Sequence, residues 1–279
     1  MSDASHPASP SASTPPPVTP RPSWLQTLRV YLEPASLRML ALGFSAGLPL
    51  LLVLGTMSFW LREAGIDRAT IGYLSWVALA YAFKWVWSPL VDRLPLPLLH
   101  RLLGRRRSWL LLAQCLVMAG LLGMAVTNPQ THLHHMVWCA LAVAFGSATQ
   151  DIALDAYRIE SADADRQAAL AATYQTGYRV AMIWAGAGVL WIAARAEVAP
   201  AVAGLSGAAA YQNGAWQTAY LVMAASMLVG VVTVLFSKEP AQVALPPART
   251  PPIGCAARWS TRLLTSSAGT AGRRRWCWG

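Results

Sequence analysis

Six stretches of the chain are apolar almost without interruption. Met39–Leu61 runs for 23 residues without a formal charge, Ala69–Val91 contains only Lys84, and Ser108–Thr127 contains none. His132–Gln150, Gln167–Ala194 with Arg179 as its single charge, and Ala215–Ser237 complete the series. About 20 apolar residues cross one bilayer. A buried soluble helix explains one such stretch, but not six in a row joined by short connections. The pattern predicts an all-α integral membrane protein with a six-helix transmembrane bundle over residues 39–237. Residues 1–23, built from Ser, Ala, Thr and seven prolines, read as a disordered tail without the apolar core of a cleavable signal peptide. Residues 24–38 read as a juxtamembrane segment in the interface. Residues 238–279 read as a basic cytoplasmic tail, and the Arg/Trp/Gly-rich part from 249 has the composition of an out-of-frame reading of a GC-rich gene.

Composition sharpens this picture. The 279 residues are 55% hydrophobic and 12% charged, with mean hydropathy +0.40. A soluble domain carries roughly twice that charged fraction, and a disordered chain is far poorer in apolar residues. The net charge of +10 is placed unevenly, since the residues after Phe236 carry +6 of it. The excess therefore sits in a tail and in loops, not on a nucleic-acid-binding module. Basic residues flank alternate ends of the spans: Arg21, Arg29 and Arg38, then Arg93, Arg101, Arg105, Arg106 and Arg107, then Lys238. The opposite connections are poor in Lys and Arg, so both termini are expected in the cytoplasm. The connection 151–166 departs from the pattern with five acidic residues, which asks for another reason. The four cysteines lack CxxC spacing, so neither a zinc site nor a disulfide framework is expected.

Charge inside apolar stretches marks the candidate chemistry. Asp151 and Asp155 stand at i, i+4 and share a helix face. At 1.5 Å per residue Asp151 lies about 28 Å beyond His132, near the cytoplasmic boundary. A carboxylate there titrates, pairs with a cation or binds one; a solvated helix end is the competing reading, more serious for Asp155. Gln150 stands about 100° round from Asp151, towards a neighbouring helix. Arg179 lies about 18 Å into its span, a costly position that calls for a partner, and Asp151 is the first candidate. Lys84 is nearer the cytoplasmic end and has a stem long enough to reach the interface. Asp92-Arg93, then ten residues, then Gly104-Arg105-Arg106-Arg107 sets an acid at one helix end against an Arg cluster opening the next. Either an ion-pair clamp or plain positive-inside charge accounts for it. Gly43, Gly47, Gly55, Gly186 and Gly188 suit close helix packing, and Pro49 a bend. His132, His134 and His135 read as interfacial. No GxGxxG, Walker A, GxSxG or metal-ligand spacing appears, so no catalytic residue, cofactor or metal is expected and the chain does not read as an enzyme.

The loop Asp92-Arg93…Gly104-Arg105-Arg106-Arg107 resembles the loop motif of the major facilitator superfamily, with a ten-residue insertion and Ser88-Pro89 in place of a glycine. Gly43-Phe44-Ser45-Ala46-Gly47-Leu48-Pro49-Leu50, Phe83-Lys84-Trp85-Val86-Trp87-Ser88-Pro89-Leu90-Val91-Asp92-Arg93, Ala148-Thr149-Gln150-Asp151-Ile152-Ala153-Leu154-Asp155-Ala156 and Gly177-Tyr178-Arg179 resemble the muropeptide permease family often called AmpG. The similarity covers about residues 35–245. The resemblance implies the N-terminal half of a bacterial inner-membrane secondary transporter, importing anhydro-muropeptides from peptidoglycan turnover by proton symport. It implies transport or proton-coupling roles for Asp151, Asp155, Arg179 and Lys84, a substrate path past Gln150 and Tyr178, and the loop motif at Asp92, Arg93, Gly104, Arg105 and Arg106. Family members have two six-helix halves, so the partners implied are substrate, proton, lipid and a second half or second copy. A non-transporting half, another superfamily permease, and a membrane enzyme or sensor subunit are the other readings.

Overall fold

The computed structural model describes residues 29–97, 99–161, 164–197 and 211–239, with the side chains of 164 and 165 left aside. Residues 1–23, and the tail from 240 onward, lie outside the described residues. Every regular element among the described residues is helical. They are α1 (Pro34–Glu63), α2 (Arg68–Leu74), α3 (Leu79–Ala82), α4 (Lys84–Arg93), α5 (Leu99–Leu103), α6 (Arg105–Val126), α7 (Leu133–Glu160), α8 (Arg166–Ala196) and α9 (Asn213–Phe236). Five of these, α1, α6, α7, α8 and α9, are long and apolar enough to cross a membrane.

The second apolar stretch differs from the other five. It is helical but broken: α2 passes into a 3₁₀ turn at Ser75–Ala78, then α3, then a break at Phe83 (φ −90°, ψ 5°) before α4. Ser75 Oγ donates back to the Ile71 carbonyl, a side-chain contact that loosens the helical ladder. Pro89 removes one further hydrogen bond inside α4.

A second difference is at the end of α7. The helix runs ten residues past Gln150 and absorbs most of the connection expected over 151–166. Gln150, Ala153, Leu154 and Tyr157 are all buried, an i, i+3, i+4, i+7 stripe that continues the packed face. The charged residues between them lie on the other faces, so the apolar run ends while the helix goes on.

Small residues bring the helices together. A Cβ on Gly43 would strike the Tyr174 carbonyl, one on Gly47 would lie 2.5 Å from the Tyr178 carbonyl, and one on Gly177 would strike the Leu40 carbonyl. The backbones of α1 and α8 therefore touch along a seam, as small-xxx-small spacing allows in lipid. Gly120 and Gly146 do the same between α6 and α7. Both α1 and α8 contain a π turn, at Leu52–Thr56 and Trp184–Gly188. Thr56 Oγ1 donates to the Ala185 carbonyl at 2.8 Å, and the Tyr220 hydroxyl to the Leu52 carbonyl at 3.0 Å. The carbonyls displaced by the wide turns are thus satisfied across helices.

The core has two apolar clusters. One contains Trp60, Leu121, Met124, Met136, Trp216 and Tyr220; the other Met39, Leu42, Leu110, Leu154, Tyr157 and Val234. Along α1, α6 and α7 the sequence passes from one to the other at a polar node. There Ser45 Oγ accepts Gln150 Nε2–H at 2.7 Å and Gln114 Nε2–H at 3.2 Å, and all three side chains are buried. Outward-facing Trp76, Trp85, Trp138, Trp191 and Phe236 are exposed, as suits a lipid-facing surface.

Candidate functional site

The candidate site lies past the middle of α7. Asp151 lies one residue beyond the buried node, and its side chain is 17% exposed. Its Oδ2 stands 3.9 Å from Lys84 Nζ, while Oδ1 is buried without a hydrogen-bond partner. Lys84 is delivered by the break at Phe83, because it is the first residue of α4. Trp87, one turn further on, pins that helix to α7: its Nε1–H donates to Thr149 Oγ1 at 3.2 Å and its ring lies 4.8 Å from Phe145. A carboxylate loosely paired with an ammonium and holding one free oxygen can take a proton, or exchange partners, at modest cost.

The expected partnership of Asp151 with Arg179 is not present; Lys84 occupies that place. Arg179 is exposed on α8 and makes no ion pair among the described residues. Its neighbour Tyr178 is partly buried, 6.0 Å ring to ring from Tyr174. Asp155 is more open, 52% exposed, and pairs with Arg158 at 3.3 Å; that guanidinium lies 5.8 Å over the Tyr174 ring. Gln150 points into the node and binds Ser45. Asp151 and Lys84 are thus brought together, Asp155 and Tyr178 flank α7 and α8, and Gln150 is withdrawn from the surface.

A second constellation closes the end of the bundle where α4, α6, α7 and α9 meet. Arg106 is buried and bridges two carboxylates. It donates to Asp92 Oδ1 at 2.7 Å from Nη1, and to Glu160 from Nη2 at 2.6 Å and from Nε at 3.1 Å. Arg105 stands 3.8 Å from Glu160. Glu239, after α9, accepts the backbone N–H groups of Arg106 and Arg107 at 2.8 and 3.2 Å. That carboxylate satisfies donors that open every helix unpaired, and it meets the positive end of the helix dipole. Gly104 (φ +86°) leaves room for it, since a Cβ there would strike the Glu239 carboxyl group. Arg107 in turn donates to the Val234 and Leu235 carbonyls at the end of α9. Arg93 is exposed and outside this network.

Glu160 supplies a reason for the acidic connection: it is the chief partner of Arg106. Sequence reasoning did not single out Glu160, Glu239, Ser45 or Gln114. Glu160 alone had a signal, an acid excess facing an arginine cluster. Among the described residues no group of three His, Cys, Asp or Glu is placed to hold a metal; His134 and His135 are exposed at the start of α7.

Residues 37–130 match the family model described as acetyl-coenzyme A transporter 1. The anhydromuropeptide permease of Escherichia coli (strain K12) is 37% identical over 215 residues, covering 77% of this chain and 40% of that protein. A Rickettsia felis protein bearing the provisional name transporter AmpG 4 is 41% identical over 152 residues, covering 54% of this chain and 36% of that protein. The chain thus spans about two fifths of the length of the curated relatives it matches.

Proposed function

We propose that this chain is the N-terminal six-span half of a proton-coupled permease for anhydro-muropeptides released by peptidoglycan turnover, acting in the bacterial inner membrane. The supporting observation is the pair formed by Asp151 and Lys84 at 3.9 Å, with one Asp151 oxygen unbonded inside a membrane helix. Ionisable groups at membrane depth are costly and mark ion and proton paths. The 37% identity to a protein named anhydromuropeptide permease supports the substrate class. In this reading Asp151 takes and releases the proton, and Lys84 holds it ionised between those events. Asp155, Arg158, Tyr178 and the free Arg179 offer polar contacts to a substrate bearing carboxylates and amides. In this reading the arginine-rich clamp end faces the cytoplasm, which the excess of Lys and Arg on that side supports. Both termini then lie on that side, and the protein moves its substrate without covalent chemistry. A second half, or a second copy related by an axis along the membrane normal, completes the substrate path.

Uptake of labelled anhydro-muropeptide into vesicles bearing the chain, alone and co-expressed with the remainder of the Escherichia coli permease, tests the reading. Uptake that rises with an imposed proton gradient supports it. Uptake in neither arrangement, or uptake indifferent to the gradient, rejects it. The family-model match favours one other substrate class, an acyl-coenzyme A. Labelled acetyl-coenzyme A belongs in the same assay, and its accumulation in place of the muropeptide would select that class.

A further inference from the structure

Arg62 and Arg68 are out of place by the rule that orients the spans. They stand at the end of the bundle remote from the arginine cluster of residues 105–107, where positive charge serves no topological purpose. Arg62 is the penultimate residue of α1 and Arg68 the first of α2. The reversal between them turns at Gly65 (φ +80°), and both side chains are exposed. With Ser58, Phe59 and Ile71 they line a groove of about 290 Å³.

Neither guanidinium has a carboxylate within 4.0 Å among the described residues. The nearby acids are engaged elsewhere. Glu63 accepts Trp216 Nε1–H at 3.2 Å, and Asp67 caps α2 by accepting the Thr70 backbone N–H at 2.9 Å and its hydroxyl. Phe59, one turn before Arg62, is 59% exposed. Depth supplies the other argument. The 30 residues of α1 extend about 45 Å, against a hydrocarbon core of about 30 Å. Arg62 therefore stands at headgroup level, and Phe59 about a turn deeper, at the edge of the acyl chains.

Two unpaired guanidiniums above an apolar floor open to lipid complement one kind of molecule: a phosphate ester joined to a hydrocarbon chain. Guanidinium forks bind phosphate oxygens in pairs. We propose that this groove binds a phospholipid of the surrounding leaflet, preferring an anionic headgroup. Its phosphate lies between Arg62 and Arg68, and an acyl chain passes over Phe59 and Ile71. This site is separate from the transport reading and stands or falls without it.

Native mass spectrometry of the full chain in detergent, titrated with phosphatidylglycerol or with phosphatidylcholine of the same acyl chains, provides the test. The unmodified protein should retain phosphatidylglycerol in preference. Arg62→Gln/Arg68→Gln should weaken that binding by about thirtyfold, and Arg62→Gln alone by about fivefold, from the loss of two charges or one at a membrane surface. The single variant serves if the double one does not fold, as judged by thermal unfolding. Equal retention of phosphatidylglycerol by a folded variant and the unmodified protein would overturn the proposal, as would equal affinity for the two lipids. Glycerol 3-phosphate should not displace the lipid at equal concentration. If it does, the groove is a site for soluble anions, and the lipid assignment is wrong.

Discussion

Ser45 on α1 accepts the carboxamide N–H of Gln150 on α7 at 2.7 Å, in a place where both residues are wholly buried. Gln114 on α6 donates to the same oxygen, so three helices share one hydroxyl. Gly230 of α9 closes over it, and a Cβ there would meet the Ser45 side chain. Removing that acceptor leaves two donors without a partner. Ser45→Ala should lower the stability of the bundle by about 1–3 kcal/mol, read as a lower melting temperature in detergent. The triple change Ser45→Ala/Gln114→Leu/Gln150→Leu should recover part of that loss, because apolar replacement of every partner leaves no orphan. A triple variant less stable than Ser45→Ala alone would contradict this.

The clamp predicts an order among its carboxylates. Glu160 receives three of the Arg106 hydrogen bonds and is 20% exposed, whereas Asp92 receives one and is 46% exposed. Glu160→Gln should therefore destabilise more than Asp92→Asn. Arg106→Ala should cost most, about 3–5 kcal/mol, as is usual when one member of a buried charged set is removed. Limited proteolysis of the 94–104 connection gives the readout, and equal cleavage in the three variants would refute the ranking.

The α1–α8 seam predicts contrasting glycine substitutions. Gly177→Ala sets a methyl group against backbone that has no room to yield, so assembled protein should be largely lost. Gly72→Ala meets nothing within 4 Å, and Gly72 lies inside α2; it should be neutral or slightly stabilising. Monodisperse yield in detergent separates the two.

Glu197, just past α8, is pushed up to about 7, first by burial and then by the Glu63 carboxyl group beside it. A carboxyl group raised in the folded state binds its proton more tightly there than in the unfolded chain. Its contribution is complete below about 4.5 and is lost as the pH climbs to 7 and beyond. The melting temperature should fall across that window, and Glu197→Gln should flatten the fall. An unchanged slope in the variant would remove Glu197 from the account.

For transport, Asp151→Asn should abolish gradient-driven uptake, and Arg179→Ala should impair it more than Asp155→Asn does. Asp155 already faces solvent and Arg158. Equal rates in the three variants, measured with a functional second half present, would deny these residues their roles.

How legible this was in the sequence follows from what hydropathy measures. Long uncharged runs such as Met39–Leu61 and Ala215–Ser237 announce helices in lipid because nothing else tolerates them, and α1 and α9 lie where the runs do. The last ten residues of α7 were not legible. The i, i+4 spacing of Asp151 and Asp155 hinted at a helix, but the partners that Asp151 and Glu160 find, Lys84 and Arg106, come from distant parts of the chain. The break at Phe83 was hidden as well, since Ala69–Val91 reads as one apolar run with Lys84 its single charge, while its backbone is not continuous. The depth of Arg179 suggested Asp151 as partner, but rotation about α8, which an 18 Å estimate along the axis cannot contain, leaves it outside. The pairing of Gln114 with Ser45 had no signal; two polar residues in separate spans become a site only where the fold brings them together, under Gly230 of α9, which has no side chain to keep them apart.

The carboxylate that terminates α6 comes from Glu239, 133 positions further along the chain. During synthesis the arginine turn of residues 105–107 must therefore wait, uncapped, until α9 and Glu239 have followed it. Closing that end of the bundle therefore follows the insertion of α9, and a ribosome stalled before Glu239 would leave the start of α6 uncapped.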